Sequence, residues 1–289
     1  MGILFLDEIS DQPSAWRKAA ALAREMGGLF PRPSARVIAF GCGTSLYVAQ
    51  SYVMLREARG QGEGDAFPAS EIPERRQYDC AVAISRSGTT AEVVQALERL
   101  SPRIDTLAVY GVGDTPVPRI AAKGISLDFA VEKIRLQVRF PATALALLRA
   151  SLGDDLDLVA RDAEQALTMP LPIDPTRFEH FVFLGTGWTA GLANEAALNV
   201  EEVAEVWVEA YAGTEYRHGP LRAATARTVV WGLGPVPNDV LRNAAARGTT
   251  VVHNSLDPMA QLVLIERTAV ALAQARGLDP DRMSSPYLT

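Results

Sequence analysis

The pattern that most constrains the fold of this chain occurs twice. A short apolar run is followed by Gly-x-Gly and then by a stretch with helical periodicity, first in VIAFGCGTSLYVAQ (37–50) and again in FVFLGTGWTAGLAN (181–194). An apolar run of four or five residues fits a buried strand, so each copy predicts a strand, a tight turn and a helix. The repetition predicts an internal duplication with a boundary near the proline-rich segment 169–175.

The same alternation continues through both halves of the chain. Further apolar runs lie at 79–84, 106–110, 124–127, 228–233 and 250–252, and helical patterns lie between most of them. Strands that alternate with helices of this length predict an α/β fold in which a mainly parallel sheet has helices on both faces. With 289 residues, the chain is long enough for two such three-layer αβα domains, which we place at 1–165 and 166–289.

Composition excludes several classes of function. The net charge of −6 provides no basic field for nucleic acid, and no apolar run is long enough to span a bilayer. The N-terminus turns acidic after four apolar residues, which does not fit a signal peptide. Two cysteines, Cys42 and Cys80, permit one disulfide but neither a disulfide scaffold nor a zinc site. We expect a cytoplasmic protein that binds neither nucleic acid nor membrane and holds no metal.

Two segments rich in hydroxyl groups follow predicted strands, GCGTS at 41–45 and ISRSGTT at 84–90. Ligands of parallel α/β sheets bind beyond the carboxyl ends of the strands, where helix N-termini present free N–H groups to anions. Serine and threonine are also ordinary helix caps. Two such segments at two strand ends nevertheless favour a phosphate site. The hydroxyl-bearing residues are Thr44, Ser45, Ser85, Ser87, Thr89 and Thr90.

A dinucleotide site is the competing interpretation of Gly41-Cys42-Gly43. The fingerprint of such sites is G-x-G-x-x-G, and here the sixth position is Leu46. No acidic residue follows the next strand in the expected manner, and the Gly-Lys-Ser/Thr of a P-loop is absent from the sequence. We therefore expect no nucleotide cofactor, and no other cofactor.

Four stretches of the sequence resemble the sugar isomerase (SIS) family of phosphosugar-binding domains in its double-domain form. They are EISDQP (8–13), GCGTS (41–45), ISRSGTTAE (84–92) and EEVAEVWVEAYAGTEYRHGPL (201–221). The chain is similar to the isomerase part of glucosamine-6-phosphate synthase and to tagatose-6-phosphate ketose/aldose isomerases. The resemblance implies two tandem flavodoxin-like domains, a sugar phosphate as the substrate and a homodimer as the functional form.

The resemblance also implies roles for particular residues. Glu202 would move a proton between C1 and C2 of the sugar, and His218 would open the sugar ring. From the residues alone, the apolar neighbours Val203 and Val206 predict that Glu202 is partly buried, which would raise its pKa toward that of a general base. Gly-Pro after His218 predicts a loop there. The implied phosphate-binding residues are Gly43, Thr44, Ser45, Ser85, Arg86, Ser87 and Thr90.

Two departures from the family pattern concern lysine. Synthase-type isomerases have a lysine near the C-terminus that forms a Schiff base, whereas residues 281–287 contain none, and Asn199 replaces a second lysine. Arginine cannot take over this chemistry because it stays protonated. An enediol route through Glu202 and His218 survives. We expect a phosphosugar isomerase acting on a hexose or amino-hexose 6-phosphate, with release of ammonia left open. The alternative is a non-catalytic phosphosugar sensor.

Overall fold

The structure is a computed structural model that describes residues 3–282. Its strands are β1 (Val37–Gly41), β2 (Gly64–Pro68), β3 (Cys80–Ser85), β4 (Asp105–Tyr110), β5 (Lys123–Ser126), β6 (His180–Gly185), β7 (Trp207–Ala212), β8 (Thr228–Leu233) and β9 (Thr250–Val252). Its α-helices are α1 (Ile3–Ser10), α2 (Gln12–Glu25), α3 (Thr44–Ala58), α4 (Ala91–Leu100), α5 (Pro116–Ile120), α6 (Arg139–Ser151), α7 (Leu156–Thr168), α8 (Thr189–Ala204), α9 (Asn238–Ala246) and α10 (Pro258–Ala275).

The chain divides into two units, each built on one sheet. The first unit consists of Ser14–Val131 and Arg139–Asp157, and the second unit consists of 3–13, 132–138 and 158–282. Residues 3–13 therefore group with the second sheet, although we placed this segment with the first. A contact inside the second unit accounts for part of this, because the Asp281 carboxylate accepts the backbone N–H groups of Leu4 and Phe5 at 3.2 and 2.9 Å.

The first sheet is parallel throughout and has the strand order β2-β1-β3-β4-β5. This is the order of flavodoxin-like sheets, and the direction of winding changes between β1 and β3. Residues two apart on a strand point to the same face. On one face they pack with α4 into a core that contains Ile38, Phe40, Ala81, Ala83, Val93, Leu97 and Ala108.

The second sheet has the order β7-β6-β8-β9 and is also parallel. Its order repeats that of the first four strands of the first sheet. The predicted α/β class, with parallel sheets flanked by helices, is confirmed. The core on one face of this sheet contains Val182, Leu184, Tyr216, Val230, Val240 and Ala244.

The helix that contains Glu195, Glu201 and Glu202 is shorter than the helical pattern of about 190–206 predicts. Helix α8 ends at Ala204, and Glu205 follows in a left-handed conformation with φ of 51°. Glu209 lies on β7 instead. The helical pattern of the sequence predicts that Glu202, Glu205 and Glu209 lie near one helix face. This prediction is wrong, because the chain leaves the helix and starts a strand between them.

Two further findings concern the cysteines and the helices. Cys42 and Cys80 are free thiols, so the single disulfide that the sequence permits is not formed. Burial raises the pKa of the Cys80 thiol to about 11. Within residues 3–282, none of the helices is both long enough and apolar enough to cross a membrane.

Candidate functional site

The predicted phosphate residues of the first unit lie at one edge of its sheet. Gly43, Thr44 and Ser45 follow β1, and the segment Ser85–Thr90 follows β3. Strands β1 and β3 are paired neighbours in parallel register. Their carboxyl ends therefore meet at the point where the winding of the sheet changes direction, which is where ligands of such sheets bind.

The segment Ser85–Thr90, which we call the hydroxyl loop, is held by its own side chains. Ser85 Oγ accepts the Gly88 N–H at 3.1 Å and lies 3.4 Å from Thr90 Oγ1. Ser87 Oγ accepts both the N–H and the hydroxyl of Thr89, at 3.2 and 3.1 Å. Since Ser87 accepts in both bonds, its hydroxyl hydrogen can still be donated to a ligand.

Backbone contacts fix the hydroxyl loop against the turn after β4. The Arg86 carbonyl accepts the N–H groups of Gly111 and Val112, both at 3.1 Å. Gly88 has φ of +66°, and a Cβ at this position would lie 2.0 Å from Thr115 Oγ1. Only glycine fits there, because other residues rarely adopt this φ and any side chain would collide. The loop is consequently rigid before any ligand arrives.

Helices α3 and α4 begin at this edge without side-chain caps. Thr90 is the N-cap of α4, and among the described residues its side chain makes no capping hydrogen bond. Gly43, the N-cap of α3, has no side chain, and the buried Thr44 Oγ1 has no hydrogen-bond partner within residues 3–282. Ordinary capping therefore does not explain these hydroxyl groups. The partial positive charge of both helix N-termini favours an anion at this edge. In the first turn of α3, the N–H groups of Ser45 and Leu46 already donate to the carbonyl groups of Cys42 and Gly43, at 3.2 and 3.0 Å.

The two predicted catalytic residues lie in the second unit. Glu202 is in the last turn of α8, and His218 is the last residue of a 3-10 helix, Gly213–His218. Gly219 follows with φ of +149°. Both side chains are exposed. The burial that we predicted for Glu202 is thus not found, because the apolar Val203 turns inward and leaves the neighbouring glutamate outside.

Glu209 belongs to a network on the second sheet that the sequence did not indicate. His180 Nε2 lies 2.9 Å from Glu209 Oε2, and the Tyr211 hydroxyl donates to Glu209 Oε1 at 2.8 Å. The His180 ring stacks on Trp207, with 4.1 Å between the ring centroids. Burial and the Glu209 carboxylate raise the pKa of Tyr211 to about 12. The contacts of His180 with Glu209 and Trp207 join β6 to β7.

Two carboxyl groups of the second unit are fully buried. Burial, followed by the nearby charge of Glu132, raises the pKa of Glu195 to about 8. Burial also raises the pKa of Glu266 well above its usual value, with Glu195 and Glu132 adding to the effect. We predicted neither as functional. One signal was available, since Glu266 and Arg267 are the only charged residues of α10.

The structure gives no indication of a metal centre in the part of the chain that it describes. Within that part, no group of three or more His, Cys, Asp or Glu side chains is arranged to hold a metal ion.

Comparison with known proteins finds relatives that are named as enzymes of sugar phosphates. The chain is 25% identical, over an alignment of 336 residues, to a glutamine–fructose-6-phosphate aminotransferase [isomerizing] of Methanothermobacter thermautotrophicus, with 96% of this chain and 55% of the relative aligned. It is 29% identical to the protein of the same name from Xylella fastidiosa, with 69% of this chain and 37% of the relative aligned. The chain spans about half the length, or less, of these curated relatives. No family model matches it.

Solved structures show the same fold over nearly the whole chain. A glucosamine-6-phosphate deaminase of Thermotoga maritima superposes with a TM-score of 0.81 at 23% identity, covering 98% of both chains. The C-terminal domain of the glucosamine-fructose-6-phosphate aminotransferase of Francisella tularensis superposes with a TM-score of 0.83 at 21% identity, covering 98% of this chain and 99% of that one. The chain shares the fold of these two structures. Tagatose-6-phosphate ketose/aldose isomerase of Escherichia coli also shares this fold. It superposes with a TM-score of 0.77 at 19% identity, covering 98% of this chain and 96% of that one.

Proposed function

We propose that this chain binds a hexose or amino-hexose 6-phosphate and interconverts its aldose and ketose forms. The observation that carries the proposal is the edge of the first sheet. There, the helices that follow two neighbouring strands begin without side-chain caps beside the hydroxyl loop. The similarity to proteins named as isomerases and deaminases of sugar phosphates supports the same conclusion.

The phosphate would be bound by neutral donors for the most part. Each helix N-terminus carries about half a positive charge and directs N–H groups at the ligand. Hydroxyl groups add donors, and they need no lysine. Arg86 is half-buried in the hydroxyl loop and contributes backbone contacts there. In this proposal the phosphate-binding residues are Gly43, Thr44, Ser45, Ser85, Arg86, Ser87 and Thr90.

The reaction would proceed through an enediol. A base removes the proton from C2 of the open aldose and returns it to C1, while a proton moves between the two oxygens. We assign the transfer between the carbons to Glu202 and the opening of the sugar ring to His218. A carboxylate suits the first role because it can accept and return the same proton. Histidine suits the second because it changes its charge near neutral pH.

Substitution of Glu202 by glutamine tests the assignment. We expect Glu202→Gln to lower turnover at least about 100-fold, since general acid–base catalysis contributes that much or more. The measurement is proton NMR in D₂O, which follows deuterium entering at the exchanging carbon of each hexose and amino-hexose 6-phosphate. Glu201→Gln, an exposed glutamate next to it, is the control and should keep full activity. Full turnover by the Glu202 variant would remove this residue from the mechanism, and binding without exchange would indicate a sensor.

The arrangement of the whole protein is part of the proposal. We infer that the two units are tandem sugar isomerase domains that arose by duplication, near a boundary at 165–166. The equal strand orders and the repeated Gly-x-Gly support this inference. We also propose a cytoplasmic homodimer. Sedimentation velocity would test the dimer, and a monomer that retains full activity would contradict it.

A further inference from the structure

A cavity of about 640 Å³ lies in the first unit, at the amino-terminal edge of its sheet. Residues of its lining directly precede three strands, with Arg36 before β1, Asp79 before β3 and Ile104 before β4. The hydroxyl loop follows the opposite, carboxyl end of β3. Because β3 has six residues, about 20 Å separate the two edges. The cavity is therefore distinct from the proposed sugar-phosphate site.

Positively charged side chains dominate the lining of this cavity. It contains Arg36, Arg75, Arg76, Arg99 and Arg103, against the two carboxylates of Glu74 and Asp79. Five positive and two negative side chains leave a formal charge of +3, in a chain whose net charge is −6. Such a local excess of positive charge attracts anions. We call this site the arginine cavity.

Two of the five arginines are paired with acids of the same unit. Arg76 Nη1 lies 2.9 Å from Asp65 Oδ2, and the Arg36 guanidinium lies within 4.0 Å of Asp65 and Glu63. The Asp79 carboxylate is also engaged, since its Oδ2 accepts the Arg36 N–H at 2.8 Å. These contacts neutralise part of the positive charge and hold Arg36 and Arg76 in place.

The other three arginines, Arg75, Arg99 and Arg103, have no carboxylate partner within residues 3–282. Arg99 lies in the last turn of α4, and Arg103 follows this helix. Neither is needed as a helix cap, because the carbonyl groups of Leu97 and Leu100 accept backbone N–H groups there. Three guanidinium groups thus line one cavity with no anion of the described chain to neutralise them.

The floor of the arginine cavity is apolar. Ile72 and Tyr78 are 5% and 8% exposed, and the partly buried Leu100 and Ile104 pack against the same core. The Arg36 guanidinium lies over the Tyr78 ring, 5.4 Å from its centroid. Sites for small molecules typically have volumes of about 300–1,000 Å³ and combine apolar surface with a few polar groups. The size and lining of this cavity therefore fit a small anionic molecule.

The chemistry of the three free arginines selects phosphate. A guanidinium group donates two parallel hydrogen bonds to phosphate oxygens and keeps its charge at any ordinary pH. One phosphate group carries about −1.5 to −2 charges near pH 7, so two phosphate groups are needed to offset the lining.

We propose that the arginine cavity binds a small molecule that carries a diphosphate group, with Arg75, Arg99 and Arg103 as its ligands. The diphosphate is either inorganic or part of an organic molecule whose remainder lies on the apolar floor. This inference does not rest on the proposed function, because the two sites lie at opposite edges of the sheet.

The first experiment compares three anions on the whole chain. Isothermal titration calorimetry without divalent cations measures the affinity for pyrophosphate, orthophosphate and adenosine diphosphate. We expect pyrophosphate to bind at least about 10-fold more tightly than orthophosphate, since a hydrogen bond between charged groups is worth this much. Tighter binding of adenosine diphosphate than of pyrophosphate would identify an organic ligand, and the reverse order an inorganic one. Equal affinity for orthophosphate and pyrophosphate would overturn the proposal.

Substitutions in the lining test the assigned ligands. Arg99→Gln and Arg103→Gln should each lower the affinity for pyrophosphate about 10-fold, and Arg99→Lys should recover only part of the loss because lysine lacks the planar fork. Arg24→Gln, at an exposed arginine of α2 outside the lining, is the matched control and should change nothing. Glu74→Gln removes a negative charge from the lining and should raise the affinity. Melting temperatures confirm that each variant is folded.

Two results would separate this inference from the proposed function. Loss of pyrophosphate binding in Ser87→Ala, with full binding in Arg99→Gln, would place the anion at the hydroxyl loop and overturn the arginine cavity. Pyrophosphate binding that depends on Arg99 and Arg103 would support the arginine cavity, even if no sugar phosphate is turned over. Exposed charges are screened by salt, so this affinity should also fall as sodium chloride is added.

Discussion

The two Gly-x-Gly turns have the same sequence pattern and opposite hydrogen-bonding states. After β6, Thr189 Oγ1 accepts the Thr186 N–H at 2.8 Å and donates to the Leu233 carbonyl at 2.9 Å. After β1, Ser45 aligns with Thr189, and the preceding Thr44 is buried with no hydrogen-bond partner for its Oγ1 in the described part of the chain. The second turn is therefore closed on itself, while the first contains a hydroxyl group that no described residue satisfies.

The loops that follow β3 and β8 differ in the same way, since only the first offers hydroxyl groups. Strand β3 is followed by the hydroxyl loop, Ser85–Thr90, whereas β8 is followed by Gly-Pro-Val-Pro at 234–237, which has no hydroxyl group. Proline also removes a backbone donor. One strand–turn–helix scaffold can thus serve binding in one unit and bracing in the other. A few side chains at the helix start decide which of the two it does.

The largest effect should come from adding a methyl group to Gly185, where the closed turn after β6 brings backbone atoms close together. A Cβ on Gly185 would lie 2.0 Å from the Thr189 carbonyl oxygen, whereas one on Gly41 would lie 2.6 Å from Ser45 Cβ. We expect Gly185→Ala to lower the free energy of unfolding by about 3 kcal/mol or more and Gly41→Ala by less. Gly187→Ala is the control at about 1 kcal/mol, since its φ is +61° and nothing described lies within 4 Å. Urea unfolding measures all three, and equal losses would contradict the difference between the turns.

A somewhat smaller effect should appear when the pH is changed. The second unit contains buried carboxyl groups, whereas the first unit has hydroxyl groups at its sheet edge. Burial raises the pKa of Glu195 to about 8, while the unfolded chain releases this proton near pH 4.3. Between these values the folded protein holds a proton that the unfolded chain lacks, so stability falls as pH rises. We expect a loss of about 2 kcal/mol between pH 5.5 and 7.

Glu195→Gln should lower the slope of this dependence by the contribution of one proton, while Glu266, whose pKa burial also raises, keeps its own contribution. Glu201→Gln on the exposed face of α8 should leave the slope unchanged. The measurement is urea unfolding at several pH values. A wild-type stability that is constant over this window would show that Glu195 is charged in the folded protein.

The smallest effects should separate the two threonines. Thr189→Val leaves the Thr186 N–H without its acceptor, and we expect a loss of about 1–2 kcal/mol with unchanged affinity for sugar phosphate. Thr44→Val removes a hydroxyl that has no partner within residues 3–282, so stability should change by less than about 0.5 kcal/mol. The affinity of the Thr44→Val variant for sugar phosphate should fall about 10-fold. The opposite result for this pair of variants would assign binding to the second turn.

The sequence predicted every described strand except β2 and β7, which occupy the equivalent edge of each sheet. Strands β1, β3, β6 and β8 are apolar runs that end abruptly, and they are buried along their whole length. Strand β2 is half-buried and contains glycine and proline, so its pattern is weak. Strand β7 carries Glu209 and follows a helix directly, and we assigned that glutamate to the helix.

The spacing of the functional groups along the sequence explains which parts of the site could be predicted. The hydroxyl loop is contiguous in sequence and directly follows a strand, so its place at the sheet edge could be predicted. The hydrogen bond between Gln12 and the buried Glu266 spans 254 positions of the chain. No local pattern indicates such a contact, since it depends on how the start of α2 packs against α10.

The near-absence of cationic side chains from the hydroxyl loop has a consequence for work in salt. Ions in solution screen charges that act over several ångströms, and the Debye length at 0.15 M is about 8 Å. Hydrogen bonds from hydroxyl and backbone N–H groups act at contact distance and are hardly screened. A phosphate bound in this way should hold its affinity as ionic strength rises, whereas a site made of surface lysines would lose it.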